Sequence, residues 1–90
     1  LDLSNNLMLE ILKCEYNKLS VLDLRDMQNL KEVYCSCNQE LVSIDVTNCL
    51  QLTTLECSIT GLNELDLSTN KKLAKLICDK DIQVEGYPEE

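Results

Sequence analysis

The chain of 90 residues has no histidine, tryptophan or phenylalanine, and only three tyrosines, two glycines and one proline. A cysteine nucleophile normally needs a neighbouring base such as histidine, so the missing histidine argues against cysteine catalysis. The two glycines leave no glycine-rich phosphate-binding loop and no dinucleotide motif. We therefore predict a protein that is not an enzyme and that uses no cofactor.

Basic residues are also scarce, because eight Lys and Arg oppose sixteen Asp and Glu, giving a formal net charge of −8. Phosphate backbones and anionic lipid surfaces attract stripes of Lys and Arg, and the sequence has no such stripe. No apolar run reaches the roughly 18 residues that cross a bilayer. We predict that the chain binds no nucleic acid and does not insert into a membrane.

A short repeat runs through the sequence. The triplet LDL stands at Leu1–Leu3, Leu22–Leu24 and Leu65–Leu67, and its variant IDV at Ile44–Val46, so the steps are 21, 22 and 21 residues. Four of the six cysteines follow with the same steps, at Cys14, Cys35, Cys57 and Cys78. Two independent markers with one period indicate a repeat protein, whose units bury their apolar faces against their neighbours.

The aligned copies read L-x-x-L-x-C-x-x-N-x-L and then L-x-x-L-D-L-S-x-N. The L-x-C and L-D-L segments alternate apolar and polar residues, which is typical of strands, and no stripe long enough for a helix occurs. We predict one mainly β domain over residues 1–90, with no substantial helix. It should be a solenoid of about four coils with parallel strands about 4.8 Å apart, with repeats at about 9–29, 30–51, 52–72 and 73–84 and a tail at 85–90.

On these motifs, over roughly residues 1–84, the sequence resembles the leucine-rich repeat family, in particular its short 21-residue bacterial class with nested half-repeats. The resemblance implies a right-handed solenoid and a non-enzymatic protein-binding module of an exported or cell-surface protein. A structural spacer within a larger surface protein and a carbohydrate-binding module are the alternatives.

Cysteine and asparagine positions have structural interpretations. The repeated cysteines Cys14, Cys35, Cys57 and Cys78 should face inward as free thiols, because cysteine behaves as a small apolar residue. Four residues in a row at strand spacing cannot surround one zinc ion, so we predict no metal site. Cys37 should be accessible, and Cys49 should lie buried in a turn. Asn17 and Asn38 should bond the backbone of inward turns. Met27 replaces such an asparagine, so its turn should be the least well satisfied.

Aspartates form a second column. Asp2, Asp23, Asp45 and Asp66 should stack on the outer face of the second strand of each coil, where like charges repel. A cation bound along the column is one explanation. Hydrogen bonds to Ser4, Thr47 and Ser68, or pairing with Arg25, are the alternative.

The outward positions of the L-x-C strands are the candidate binding surface, because the resemblance implies partner binding on that face. Exposed tyrosines among mixed charges are typical of interface hot spots. The candidate partner-binding residues are Lys13, Glu15, Tyr16, Glu32, Tyr34, Cys37, Glu56, Ile59, Ile77 and Lys80.

The sequence opens inside a half-repeat and has no polar N-terminal cap, which solenoids normally need. We expect a longer array, a continuation from a removed segment, or end-to-end self-association through the N-terminal coil. At the other end, Tyr87 and Pro88 should close a weak C-terminal cap.

Overall fold

The computed structural model describes Leu3 and residues 5–87, and it is a β-solenoid of about four coils. Eight short strands follow one another: β1 (Ile11–Lys13), β2 (Val21–Asp23), β3 (Glu32–Tyr34), β4 (Ser43–Asp45), β5 (Thr54–Cys57), β6 (Glu64–Asp66), β7 (Lys75–Cys78) and β8 (Gln83–Glu85). The described residues include no helix, and so no helix that could cross a membrane. The predicted fold class, all-β with parallel strands in about four coils, is confirmed.

Each coil contributes one strand to each of two faces. The odd-numbered strands form a four-stranded parallel sheet in the order β1-β3-β5-β7. Its register pairs Leu12 with Val33, Val33 with Leu55, and Leu55 with Leu76. Because one-residue slips would turn these leucine positions outward, the buried column fixes the register.

The even-numbered strands form two separate pairs, β2-β4 and β6-β8, and not one continuous second sheet. No strand pairing joins β4 to β6, and the two coils are instead connected through the turns that precede these strands. There Gly61 N donates to Leu41 O at 2.8 Å, and Asn38 and Thr60 form an isolated parallel bridge. These bonds join coils 2 and 3 ahead of β4 and β6, and the strand ladder is interrupted.

The core is one continuous row of Leu, Val and Cys between the two faces. Central-coil side chains such as Leu55 and Cys57 are fully buried, whereas Leu12 and Cys14 of the first coil keep 9% exposure. This gradient follows from stacking, because a coil with a neighbour on both sides is covered twice.

The first turn depends on asparagine in coils 1 and 2, as predicted, and in coil 3 Thr60 replaces it, donating its hydroxyl to Cys57 O at 3.1 Å. Asn38 is fully buried, and its Nδ2 donates to Cys35 O at 2.9 Å and to Cys14 O at 3.1 Å. Its Oδ1 accepts from Leu19 N at 3.2 Å. Asn17 donates to the same Cys14 carbonyl at 2.9 Å but is exposed. The two amides therefore meet at a shared carbonyl.

The second turn uses mixed chemistry. The buried Cys49 thiol donates to Leu24 O at 2.9 Å, and Met27 N donates to the same carbonyl at 3.3 Å. Our prediction that the Met27 turn is the least satisfied was wrong, because the thiol of the next coil supplies the missing donor. The buried side-chain atom without a partner in the described structure is Asn70 Oδ1. Asn70 Nδ2 is bonded to the carbonyls of the preceding coil.

The last coil is shorter than the others. Gln83 pairs with Glu64, a step of 19 residues where the earlier coils step 21 or 22. Gly86 then turns with φ +80°, and a Cβ there would lie 2.5 Å from Ser68 Cα, so a larger residue would clash. Tyr87 packs against the core beyond this turn, as expected of a C-terminal cap, while Pro88 lies outside the described residues.

Replacing Asn38 by Ala tests the inward turn. The change leaves the Cys35 carbonyl and the Leu19 amide without their side-chain partners, while the Cys14 carbonyl keeps its bond from Asn17. Each buried group left unpaired costs about 1–3 kcal/mol. We expect the free energy of unfolding to fall by about 3 kcal/mol in urea denaturation. The matched control is Asn17→Ala, whose exposed site should lose less than about 1 kcal/mol. Equal losses for the two variants would contradict this account.

Candidate functional site

The outward side chains of β1, β3, β5 and β7 form a surface that we call the strand face. Its central row is in register, with Lys13 beside Tyr34, Tyr34 beside Glu56, and Glu56 beside Ile77. All ten residues predicted to bind a partner are exposed or half-buried: Lys13, Glu15, Tyr16, Glu32, Tyr34, Cys37, Glu56, Ile59, Ile77 and Lys80. The alternation of side chains along the strands places Lys13, Glu32, Tyr34, Glu56 and Ile77 outside the core, and the other five residues follow the strands in the turns.

Tyr34 is held in place at the centre of the strand face. Its hydroxyl donates to Glu32 Oε1 at 2.6 Å, and Lys13 Nζ lies 5.6 Å from the ring centroid, within reach of a cation–π contact. The hydrogen bond to Glu32, together with partial desolvation and the nearby carboxylates of Glu56 and Glu15, raises the pKa of Tyr34 to about 12. The ring is therefore presented to solvent in a fixed, neutral state.

Charges on the strand face are paired across strands. Lys75 Nζ of β7 lies 3.3 Å from Glu56 Oε2 of β5. At the upstream edge, Lys31 Nζ lies 3.6 Å from Glu10 Oε1. Such exposed pairs add little stability, so what they provide is a surface of both signs around Tyr34 and Ile77.

Beyond the strand face, the chain turns at Tyr16, Cys37 and Ile59, which we call the turn ridge. These residues have positive φ values of 60°, 65° and 56°. The backbone bonds Tyr16 N to Ser36 O and Cys37 N to Ser58 O connect the ridge from coil to coil. All three are among the predicted partner-binding residues, but the sequence gives no sign of their left-handed backbone, because none of the three is a residue type that signals it.

A groove of about 610 Å³ opens beside the turn ridge. It is lined by Tyr16, Asn17, Lys18, Cys37, Gln39, Glu40 and Ile59. Lys80, another predicted partner-binding residue, is exposed but does not line this groove. The groove therefore belongs to coils 1 to 3.

Asp79 has a structural role that sequence reasoning missed. Its carboxylate accepts from Ile59 N at 2.8 Å and from Thr60 N at 3.1 Å. In the earlier coils, the backbone carbonyls of Ser36 and Ser58 accept the corresponding amides. A side chain thus replaces a main-chain acceptor where the short last coil diverges.

The inward cysteines Cys35 and Cys57 are free and inert by burial, whereas Cys78, at the end of the same column, is half-buried. Desolvation raises the pKa of Cys57 to about 12 and raises the pKa of Cys35 further. Cys37 is half-buried on the turn ridge, so it is accessible as predicted, although it is less exposed than its neighbour Tyr16. Among the described residues, no three His, Cys, Asp or Glu side chains cluster as metal ligands.

The aspartate column serves its own turns. Asp23 bonds Arg25 through both carboxylate oxygens, at 3.0 and 2.9 Å. Asp45 accepts from Thr47, at 3.0 Å from its amide and 2.6 Å from its hydroxyl, and Asp66 accepts from Ser68 N at 3.0 Å. Of the two explanations for the stacked aspartates, these bonds support the one based on Arg25, Thr47 and Ser68 as partners. Asp2 and Ser4 lie outside the described residues.

Comparison with known proteins adds no relative, because no family model, no curated protein and no solved structure matches the chain. The arrangement of the strand face and the turn ridge is what supports a function.

Thiol labelling tests the placement of the cysteines. In a Cys78→Ser background, which removes the other half-buried thiol, we expect a water-soluble aromatic disulfide at neutral pH to react with Cys37 in the fast phase. Cys35 and Cys57 should react only after unfolding, because both are buried with raised pKa values. The variant Cys37→Ser should lose the fast phase, and Cys57→Ser should retain it. A fast phase that survives in Cys37→Ser would contradict the assigned exposure.

Alkaline titration tests the environment of Tyr34. Its folded pKa of about 12 lies above the ordinary 10.0, so its contribution to stability is complete below pH 10 and is lost as the pH rises through about 12. Glu32→Gln removes the charge of the acceptor, and the pKa of Tyr34 should then fall towards 10.0. Tyrosinate absorbance in a Tyr16→Phe, Tyr87→Phe background reports Tyr34 alone.

The control for this titration is Glu64→Gln, which removes an exposed charge from β6 on the other face of the solenoid. It should leave the midpoint of Tyr34 unchanged. A midpoint that is equally unmoved in Glu32→Gln would show that the hydroxyl is not bonded to Glu32 in solution.

Proposed function

We propose that the chain is a leucine-rich-repeat-like module that binds a protein partner through the strand face. The observation that carries the proposal is the in-register row of Lys13, Tyr34, Glu56 and Ile77 on one four-stranded sheet. The resemblance in sequence is the ground for further proposing a right-handed coil and a bacterial, exported or cell-surface protein.

The composition of the strand face supports a protein ligand. Protein interfaces combine an aromatic or aliphatic centre with a polar rim of mixed charge. Tyr34 and Ile77 supply the aromatic and aliphatic contacts here, on either side of Glu56, and Glu32, Lys13 and the Lys75–Glu56 pair supply the mixed charge.

Rigidity supports the same proposal. The hydrogen bond from Tyr34 to Glu32 and the contact with Lys13 fix a ring that would otherwise lose rotamer freedom on binding. Each immobilised side chain costs about 0.5–1.5 kcal/mol at association, so a ring that is already held lowers this cost. A structural spacer would gain nothing from such an arrangement.

Substitution of the central row tests the proposal. An unbiased library of displayed short peptides is selected on the wild-type protein, and the selected peptides are titrated against the combined variant Lys13→Glu, Tyr34→Ala, Glu56→Lys. Loss of a hot spot costs about 2 kcal/mol or more, so we expect the Kd to rise by about 30-fold or more. Unchanged thermal melting should confirm that the fold is retained.

The matched control is Glu64→Lys, which reverses an exposed charge on β6, outside the strand face. It should leave the Kd within about twofold. If the combined variant also binds with an unchanged Kd, or if no peptide can be selected, the spacer interpretation is favoured and the proposal fails.

A further inference from the structure

The turn ridge puts unsuitable residues into a demanding backbone conformation. Tyr16, Cys37 and Ile59 all have φ between 56° and 65°. A positive φ is uncommon for residues with a side chain, and for a β-branched residue such as Ile59 it is a genuine outlier. The same conformation recurs in three successive coils, so it is a property of the turn.

The other turn of the solenoid meets the same demand with suitable residues. Asp26 and Asn48, beyond β2 and β4, have φ values of 64° and 62°, and Gly86 has 80°. Aspartate, asparagine and glycine adopt this region readily. The chain therefore carries the favourable residue types at one turn and unfavourable types at the turn ridge.

Burial of the side chains does not offset the cost of the positive φ values in the turn ridge. Tyr16 is 82% exposed and Ile59 is 52% exposed, so neither side chain gains much by packing on the core. Strained backbone that is retained without a folding benefit is typical of functional positions. The side chains of the turn ridge are therefore expected to serve something outside the chain.

The groove beside the turn ridge has the composition of a small interface. Its volume of about 610 Å³ is within the range of ligand sites. The ridge provides an apolar centre, and the rim consists of two amides, Asn17 and Gln39, and two charges of opposite sign, Lys18 and Glu40. Neither Lys18 nor Glu40 forms an ion pair with another described residue.

We propose that the turn ridge takes an apolar side chain from an extended segment of the partner protein, with an acidic residue of that segment facing Lys18 and a basic residue facing Glu40. This inference rests on the proposed function, because the ridge borders the strand face. Ile59 and Cys37 favour an apolar side chain over a sugar, since neither side chain would satisfy a sugar's hydroxyl groups.

Stability measurements test the first half of the proposal. Ile59→Asn places a suitable residue at the strained position, and its backbone amide can keep the bond to Asp79. The melting temperature should rise by about 4–8 °C. The reverse change in the other turn, Asn48→Ile, should lower the melting temperature. A melting temperature that does not rise in Ile59→Asn would overturn the premise of strain.

Binding measurements test the second half, with peptides selected on the wild type from an unbiased displayed library. Ile59→Asn and Tyr16→Asn should each raise the Kd by about tenfold or more, although Ile59→Asn is the more stable protein. Lys18→Glu should weaken binding only of peptides that carry an acidic residue. The control Val42→Asn changes a β-branched side chain that is 62% exposed but outside the groove, and it should leave the Kd unchanged.

The outcomes separate the two proposals. Peptides that respond to Tyr34→Ala but to neither ridge variant would overturn the role of the ridge and leave the proposed function standing. Peptides that respond to neither set, or a library that gives no binder, would overturn both. Binding to a glycan array that is abolished by Tyr16→Asn, without any peptide binding, would assign the groove to sugars and overturn the protein segment.

Discussion

Everything in this solenoid depends on stacking, because no coil can bury its own apolar face. A coil of about 21 residues holds two strands and two turns, and its leucines are covered only by the coils on either side. Parallel stacking at about 4.8 Å then imposes one register on every position. The same register that brings Leu55 against Val33 also aligns Tyr34 with Glu56 on the outside. The core and the candidate site are therefore two consequences of one geometric constraint.

Where the repeat was regular, the sequence was sufficient to predict the structure. The period placed Cys35 and Cys57 inside and Tyr34 outside, and the asparagine positions predicted the inward bonds of Asn38. The failures occurred where chemistry departs from the repeat. The Cys49 thiol acts as the donor for the turn that contains Met27, which no rule of side-chain preference anticipates.

Other features are invisible to sequence patterns for a physical reason. Backbone conformation is predicted through glycine, asparagine and aspartate, so a left-handed turn built from Tyr16 and Ile59 gives no signal. The interrupted second sheet and the shortened last coil depend on which backbone groups meet across coils. Asp79, for example, looks in the sequence like any exposed acidic residue, whereas in the structure its carboxylate accepts hydrogen bonds from two backbone amides. The aspartates of the even-numbered strands have a similar structural role. Asp23, Asp45 and Asp66 each accept a hydrogen bond within the turn that follows their strand.

The two-sided bonding of Asn38 has a consequence for how the molecule comes apart. In a one-dimensional array, the coupling between neighbouring units decides whether they unfold singly or together. The Asn38 amide belongs to coil 2, but it holds the Cys14 carbonyl and the Leu19 amide of coil 1. Fraying of coil 1 would therefore leave a buried amide of coil 2 with unsatisfied bonds. We therefore expect the first coil, which carries Lys13 and Tyr16, to unfold together with its neighbour and not separately.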